Sequence, residues 1–376
     1  MNKRLAIITG IGVTLMLALP SRPHAANALL IELERGTLAS AVSANNYVVV
    51  GGFDGGGSFY WMPTRDAIFS GGLVSEGVSG DGRTIVGIAQ DHNGISQAGI
   101  WLTRAEWQLL GSFSPTAAPC SGSLSSAYDV SRDGQVIVGI ANDGCALAHA
   151  FRWTPSTGMI DLGSSVQGKA SLAGGVSGDG RVAVGYQDTG TFRSGARWLD
   201  GREELIPGTD GFVGQARAAN IDGSIVVGQT CRPALLDDQS AWVWTAQGGT
   251  KCLPAPAKIA SPGPAILIQA NATSDDGQVI GGAQNVGGSS DSNAVIWIGG
   301  RPAYLKDLLR ANGVPNAFAT YANTGEITGM TPDGRILVGW GAAALGFRAY
   351  IVVLPRTPSC HKPSLVMGDH RGVVKE

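Results

Sequence analysis

The feature that most restricts how this chain folds is a short unit that returns seven times. The copies read SAVSANNYVVVGG, EGVSGDGRTIVG, AYDVSRDGQVIVG, AGGVSGDGRVAVG, RAANIDGSIVVG, NATSDDGQVIGG and TGMTPDGRILVG. Each carries a short polar residue, an Asp-Gly (Asn-Asn in the first copy), an apolar run and a glycine. The anchoring glycines read as Gly51, Gly87, Gly139, Gly185, Gly228, Gly281 and Gly339, separated by 36 (87 − 51) to 58 (339 − 281) residues. Ten to sixteen residues after the anchor stands Trp61, Trp101, Trp153, Trp198, Trp244 or Trp297, with Ile351 taking that place in the last copy. A fixed supersecondary unit whose apolar face is covered by the next copy is the meaning of such a period.

The third copy shows what one unit contains: SAYDVS, QVIVGIA, HAFRWT and GMIDLGS. Each segment is short, rich in β-branched or aromatic residues, and bounded by Gly, Pro, Asp or Ser, as strands are. The 56 glycines and the 15 % of charged residues suit short strands joined by tight turns. Four antiparallel strands repeated radially predict an all-β fold, a seven-bladed β-propeller of four-stranded antiparallel blades. The blades are expected near 36–72, 73–113, 125–164, 171–208, 214–254, 267–308 and 325–354. The seventh copy has room for three strands only, whereas ALLIELER (Ala28 to Arg35) precedes the first copy without a partner. The ring is therefore expected to close through this N-terminal strand, which hides edges that invite aggregation.

The turn chemistry is equally regular. Two residues before each Asp, or its equivalent, stand Ser43, Ser79, Ser131, Ser177, Asn220, Ser274 and Thr331. A short side-chain oxygen, then Asp, then Gly suits a type I turn that ends on a left-handed glycine. Turn formation thus accounts for these seven groups without catalysis or metal binding. In a four-stranded blade these turns share a face with the strand 3–4 turns. The variable strand 2–3 loops and the links between blades lie opposite, and function on a rigid scaffold tends to sit on such loops. Within one link, Leu305, Leu308 and Leu309 have helical spacing, with Gly313 and Pro315 as stops, so Tyr304 to Asn312 is read as a short helix on that face.

Candidate binding residues follow from the same frame. Five residues before each turn Asp stand Ser40, Glu76, Tyr128, Gly174, Arg217, Asn271 and Thr328. The next position is mostly small (Ala41, Gly77, Asp129, Gly175, Ala218, Ala272 and Gly329), which permits close packing around an axis. Glu76, Tyr128, Arg217 and Asn271 are therefore expected to converge at the mouth of a central channel on the loop face. There a ligand would meet several blades at once.

The His149 to Phe151 triplet HAF, the SxDGxxIVG units and the MIDLG ending resemble the HAF family of bacterial extracellular repeat proteins, over roughly residues 36 to 354. The last repeat, with LKDLLRANGV, ITGMTPDGRILVGWG and AYIVVLP, is similar to the closing repeat of such proteins in autotransporters. The resemblance implies β-propeller-type repeats in an exported or surface protein, and it brings no established catalytic residues. The chain departs from the autotransporter form in showing a polar tail after Pro355 (residues 357–376, expected to be flexible) in place of a membrane barrel.

The N-terminus fits export. Lys3 and Arg4 precede an apolar run from Leu5 to Leu19, Pro20 breaks it, and small residues follow at Ala25 and Ala26. Residues 1–26 are read as a signal peptide, since the run is short of the roughly 20 residues a bilayer span needs. The domain is then 27–356. A periplasmic or extracellular, oxidising location makes disulfides the expected use of the cysteines. Chain topology pairs Cys120 with Cys145 and Cys231 with Cys252, leaving Cys360 free.

A net charge of −2 without a basic stripe argues against nucleic-acid binding. No cofactor and no metal site is expected: no CxxC is present, and Asp54, Asp237, Asp238 and Asp291 lack the spacing of a calcium loop. His149 belongs to the blade motif, and His92 has no nucleophile motif to serve. Two function classes follow. The first is a monomeric, non-enzymatic binding or adhesion module for glycan, envelope or protein ligands. The second is a secreted carbohydrate-active enzyme, a lyase or hydrolase, using Glu76 with His92 or Tyr128 as acid and base.

Overall fold

The computed structural model describes residues 27–355 except 46, 70, 103–105, 114–123, 144–146, 209–210, 232–237, 257–265, 287–291 and 345. Seven sheets of antiparallel repeat strands surround a common axis; in blades 1 to 6 the strands run outward in chain order, and in blade 7 the outermost strand is the N-terminal Leu29–Arg35. Blade 3 is typical: Ser125–Val130, Ile137–Asp143, Leu147–Thr154 and Gly158–Gly163. Blade 6 gains a fifth, two-residue strand, Asp238–Gln239, which runs parallel to Ile266–Thr273. One α-helix, Leu305–Ala311, is present among the described residues; Leu305 and Leu309 are buried, so the helix packs into the ring.

The ring closes through the N-terminal strand. Leu29–Arg35 runs antiparallel to Gly346–Val353, with Leu29 opposite Val353 and Ile31 opposite Ile351. Its Leu33 enters an apolar cluster with Val338, Ala349 and Ile351 of blade 7 and Ala39, Val49 and Phe59 of blade 1. Arg348 Nη1 reaches Glu32 Oε2 at 2.7 Å, adding a charge-assisted bond to the seam.

Apolar burial is divided among the seven gaps between blades. Blades 3 and 4, for instance, share Val136, Val138, Ala150, Ala173, Val176, Ala183, Ala196 and Trp198. The tryptophans of the repeat serve this purpose: Trp198 and Trp297 are fully buried, and Trp101 and Trp244 nearly so. Two readings of the repeat are corrected by register. The seventh counterpart of the tryptophans is Val352, not Ile351. Val352 pairs with Leu337 as Trp297 pairs with Ile280, whereas Ile351 points to the opposite gap. The sixth anchoring glycine is Gly282, opposite Ala270, not Gly281. Gly281 occupies a position held by valine in the other six copies. The vacated space is taken by Ile327, where the other copies carry Ala or Ser.

The anchoring glycines have a steric cause. The first repeat strand of every blade contains a β-bulge, and the bulged residues are Ser40, Glu76, Tyr128, Gly174, Arg217, Asn271 and Thr328. A bulge bends its strand and re-aims one side chain. Here it presses the carbonyl two residues earlier onto the neighbouring strand. A Cβ on Gly185 would overlap the Leu172 carbonyl oxygen and lie 2.8 Å from its carbon.

The Asp-Gly turns form as the sequence predicts. In blade 2, Ser79 Oγ accepts from Thr84 N at 3.0 Å and donates to Asp81 Oδ1 at 2.7 Å, while Asp81 Oδ1 accepts from Arg83 N. Gly82 N bonds back to Ser79 O with φ at +74°, the left-handed conformation glycine tolerates.

Candidate ligand site on the propeller axis

Because all seven bulged residues are turned toward the axis, they meet. Ser40, Glu76, Tyr128, Gly174, Arg217, Asn271 and Thr328 all line one cavity of about 430 Å³ at the loop-face half of the channel. The four candidates Glu76, Tyr128, Arg217 and Asn271 are thus brought together as their spacing predicts.

Their environments differ. Glu76 is largely buried, and desolvation pushes its carboxyl above the ordinary range against an opposing hydrogen bond from Ser40. Burial and then the nearby Glu76 charge push the Tyr128 phenol up. Arg217 Nη2 donates to Gln229 Oε1 at 2.8 Å. Burial lowers its guanidinium, the Glu326 charge opposes that, and Arg193 adds a like charge. Asn271 is a buttress: its Nδ2 donates to Glu326 Oε2 and to Ile327 O, both at 3.1 Å.

The repeat pattern misses Glu326, Gln215, Leu172, Ala39 and Trp340, which complete the lining. Glu326, Gln215 and Leu172 stand two residues before the bulge, where strand alternation returns a side chain to the same face. Trp340 sits opposite Glu326 on the adjacent strand. Glu326 Oε2 also accepts from Gln269 Nε2 at 2.9 Å. Burial raises the Glu326 carboxyl, while Arg217 and the two amides pull it down.

The other end of the axis is bridged. At the position between the turn Ser and Asp, Arg132 of blade 3 bonds Asp275 of blade 6 across the ring. Asn220 Nδ2 secures the same turn through Asp275 O at 3.0 Å. A small cavity of about 150 Å³ lies there. It is bordered by Asp129, whose carboxylate accepts from Val130 N at 2.8 Å and from Val176 N of blade 4 at 2.9 Å. Desolvation is the larger effect and pushes the Asp129 carboxyl up to about 6. The small neighbours are needed around it: a Cβ on Gly77 would lie 3.0 Å from the Asp129 Cα.

The remaining candidates lie elsewhere. His149 Nδ1 is 3.1 Å from Asp161 Oδ2 across the outer strands of blade 3, a structural pairing. His92 is exposed in a turn organised by Asp91, and Asp54 is exposed. Cys231 and Cys252 form a disulfide with Cα atoms 5.5 Å apart. Cys120, Cys145, Cys360, Asp237, Asp291, residues 1–26 and the tail lie outside the described residues, as does the Asp238 side chain. No described helix is long and apolar enough to cross a membrane.

No family model matches the chain, and no curated protein sequence does. Solved structures do. An oligogalacturonate lyase in complex with manganese superposes with a TM-score of 0.51 at 11 % identity, covering 88 % of this chain and 99 % of that one. The β-propeller domain of the trilobed protease from Pyrococcus furiosus gives 0.46 at 12 % identity, covering 87 % and 95 %. TolB from Acinetobacter baumannii gives 0.43 at 11 % identity over 73 % of this chain, which spans only 62 % of the TolB chain. The shared feature is the β-propeller. At these identities the likeness is one of fold, and the site must be read from its own residues.

Proposed function

We propose that this protein is an exported binding module that takes a hydroxyl-rich ligand, a glycan, into the axial cavity from the loop face. The observation that carries this reading is the convergence of one bulged residue from every blade on a single concave site. Ser40, Thr328, Tyr128, Glu76 and Glu326 supply donors and acceptors at several angles, and Trp340 supplies the apolar surface against which a sugar face packs. The opposite mouth is crossed by Arg132 and Asp275 and surrounded by near-identical turns, so access and specificity both favour the loop face. Export draws support from the N-terminal pattern, from the resemblance to HAF-type repeats, and from the Cys231–Cys252 disulfide, which persists in oxidising compartments.

A glycan-array screen of the mature protein, run beside a polysaccharide-degradation assay, tests the reading. Binding without bond cleavage is the expected result. The Tyr128→Ala/Arg217→Ala double variant is expected to stay folded and to bind more weakly by about 1–3 kcal/mol, the cost of leaving polar partners unpaired. Release of cleaved product would establish the carbohydrate-active enzyme instead. Unchanged binding by the double variant, with loss on altering the Asp-Gly turns of a folded protein, would place the site on the other face.

A further inference from the structure

The wall of the cavity between blades 4 and 5 differs chemically from the rest. Blade 4 contributes Gly174 at the bulge, so no side chain projects there, and Arg217 of blade 5 borders the gap. Arg217 is only partly engaged. Its Nη2 meets Gln229, whereas its buried Nε has no hydrogen-bond partner in the protein. The carboxylate that acts on Arg217, Glu326, is held by Gln269 and Asn271 and does so only through space. A second cation, outside the cavity lining, acts on Arg217 through space. Arg193 begins the third strand of blade 4 at its loop-face end and is exposed, with its guanidinium 4.4 Å above the Tyr186 ring centroid. Neither arginine makes an ion pair with a described residue.

Two neighbouring like charges, one of them carrying a buried Nε that no protein group satisfies, favour a negative charge between them. Of the two acids in the cavity, Glu326 is already held by Gln269 and Asn271, and burial raises the carboxyls of both Glu76 and Glu326, which lessens their opposition to an anion. Resting on the glycan reading above, we infer that the ligand is an acidic sugar whose carboxylate docks against Arg217 and Arg193. Its hydroxyls then face Glu76, Tyr128 and Glu326, and its apolar face lies on Trp340.

The test uses the full mature protein and two probes that differ only in the charged group: an oligoglucuronate and its carboxyl-reduced counterpart, titrated calorimetrically. The acid is expected to bind at least about tenfold more tightly, as a charge-assisted bond to a desolvated guanidinium provides. That ratio should shrink with added salt and collapse toward one in Arg217→Met. Arg193→Met, an exposed change that leaves folding intact, should reduce the ratio by itself, which keeps the test decisive if Arg217→Met fails to fold. Equal affinity for both probes, or a ratio surviving both substitutions, overturns the carboxylate assignment and leaves the glycan reading standing. Binding of neither probe overturns the acidic-sugar inference, and a blank glycan array beside it removes the glycan reading as well.

Discussion

Two glycines of blade 4, eleven residues apart, should respond oppositely to the same substitution. At Gly185 an added Cβ meets immobile backbone: it overlaps the Leu172 carbonyl oxygen and lies 3.0 Å from Ala173 Cα. At Gly174 the nearest atom is Leu172 Cδ2, the far end of a side chain, at 3.4 Å, an ordinary contact. Neither residue has a positive φ. For Gly185→Ala the magnitude follows from the contact. Overpacking against atoms that cannot rotate away stands at the upper end of the usual range, about 3 kcal/mol. Straightening the bulge to make room sacrifices a ladder hydrogen bond, about 1 kcal/mol. The lower entropy of unfolded alanine returns about 0.5–1 kcal/mol. The net loss is about 3 kcal/mol. Gly174→Ala keeps the entropic gain and adds no clash, so it should lie within about 1 kcal/mol of the parent. Urea unfolding followed by tryptophan fluorescence reads both, since Trp198 is buried in the same blade. If the two variants unfold at the same urea concentration, the glycine anchors are not there to receive the bulge.

Other consequences can be checked separately. The Asp129 carboxyl is raised to about 6 from 3.8, so its ionisation opposes folding: the stability it contributes is fully present below about pH 4 and is lost as pH rises through 6, opposite in sign to the lowered turn carboxyls of Asp81, Asp222 and Asp276. The loss is up to about 3 kcal/mol, less whatever solvation the channel supplies, and Asp129→Gly should abolish that slope; parallel pH profiles would refute it. Reducing Cys231–Cys252, which closes a loop with a sequence separation of 21, should cost about 3 kcal/mol in chemical denaturation, and unchanged stability would make the bridge incidental. Deleting Ala28 to Arg35 exposes the edge of blade 7, so the truncated protein should lose protease resistance and self-associate; a monomer of undiminished thermal stability would show that the seam is dispensable.

The repeat made most of this fold legible, because a period near 45 residues fixes where each strand begins without help from distant contacts. It misled where composition was ambiguous at single-residue level. QVIGG offers two glycines in succession; the constant six-residue offset from the turn Asp selects Gly282, and its pairing with Ala270 agrees. RAYIVV is apolar throughout, and only the seating of Tyr350 opposite Gly339 assigns Val352 to the place of the tryptophans. The site was legible in the same proportion. The offset from the turn Asp locates the bulge, hence Glu76, Tyr128, Arg217 and Asn271. Glu326 was within reach of the strand period, two residues earlier on the same face. Trp340 was not, since its approach depends on cross-strand register. Nor was the Arg132–Asp275 bridge, which joins residues 143 apart.

The bulge explains why one axis carries two different ends. At each bulge the backbone, not the side chain, makes the obligatory contact with the glycine of the next strand. Side chains there are consequently free to vary, and Ser, Glu, Tyr, Gly, Arg, Asn and Thr all occur without loss of the blade. The turn Ser and Asp have no such freedom, because their oxygens complete the turn itself. Between them only one position is open, and its two charged occupants, Arg132 and Asp275, neutralise each other across the channel. Variation that costs the fold nothing is thus concentrated on the loop-face half of the axis, where the cavity lies. A change of ligand would require new side chains at the bulges and no change in the strands that hold them.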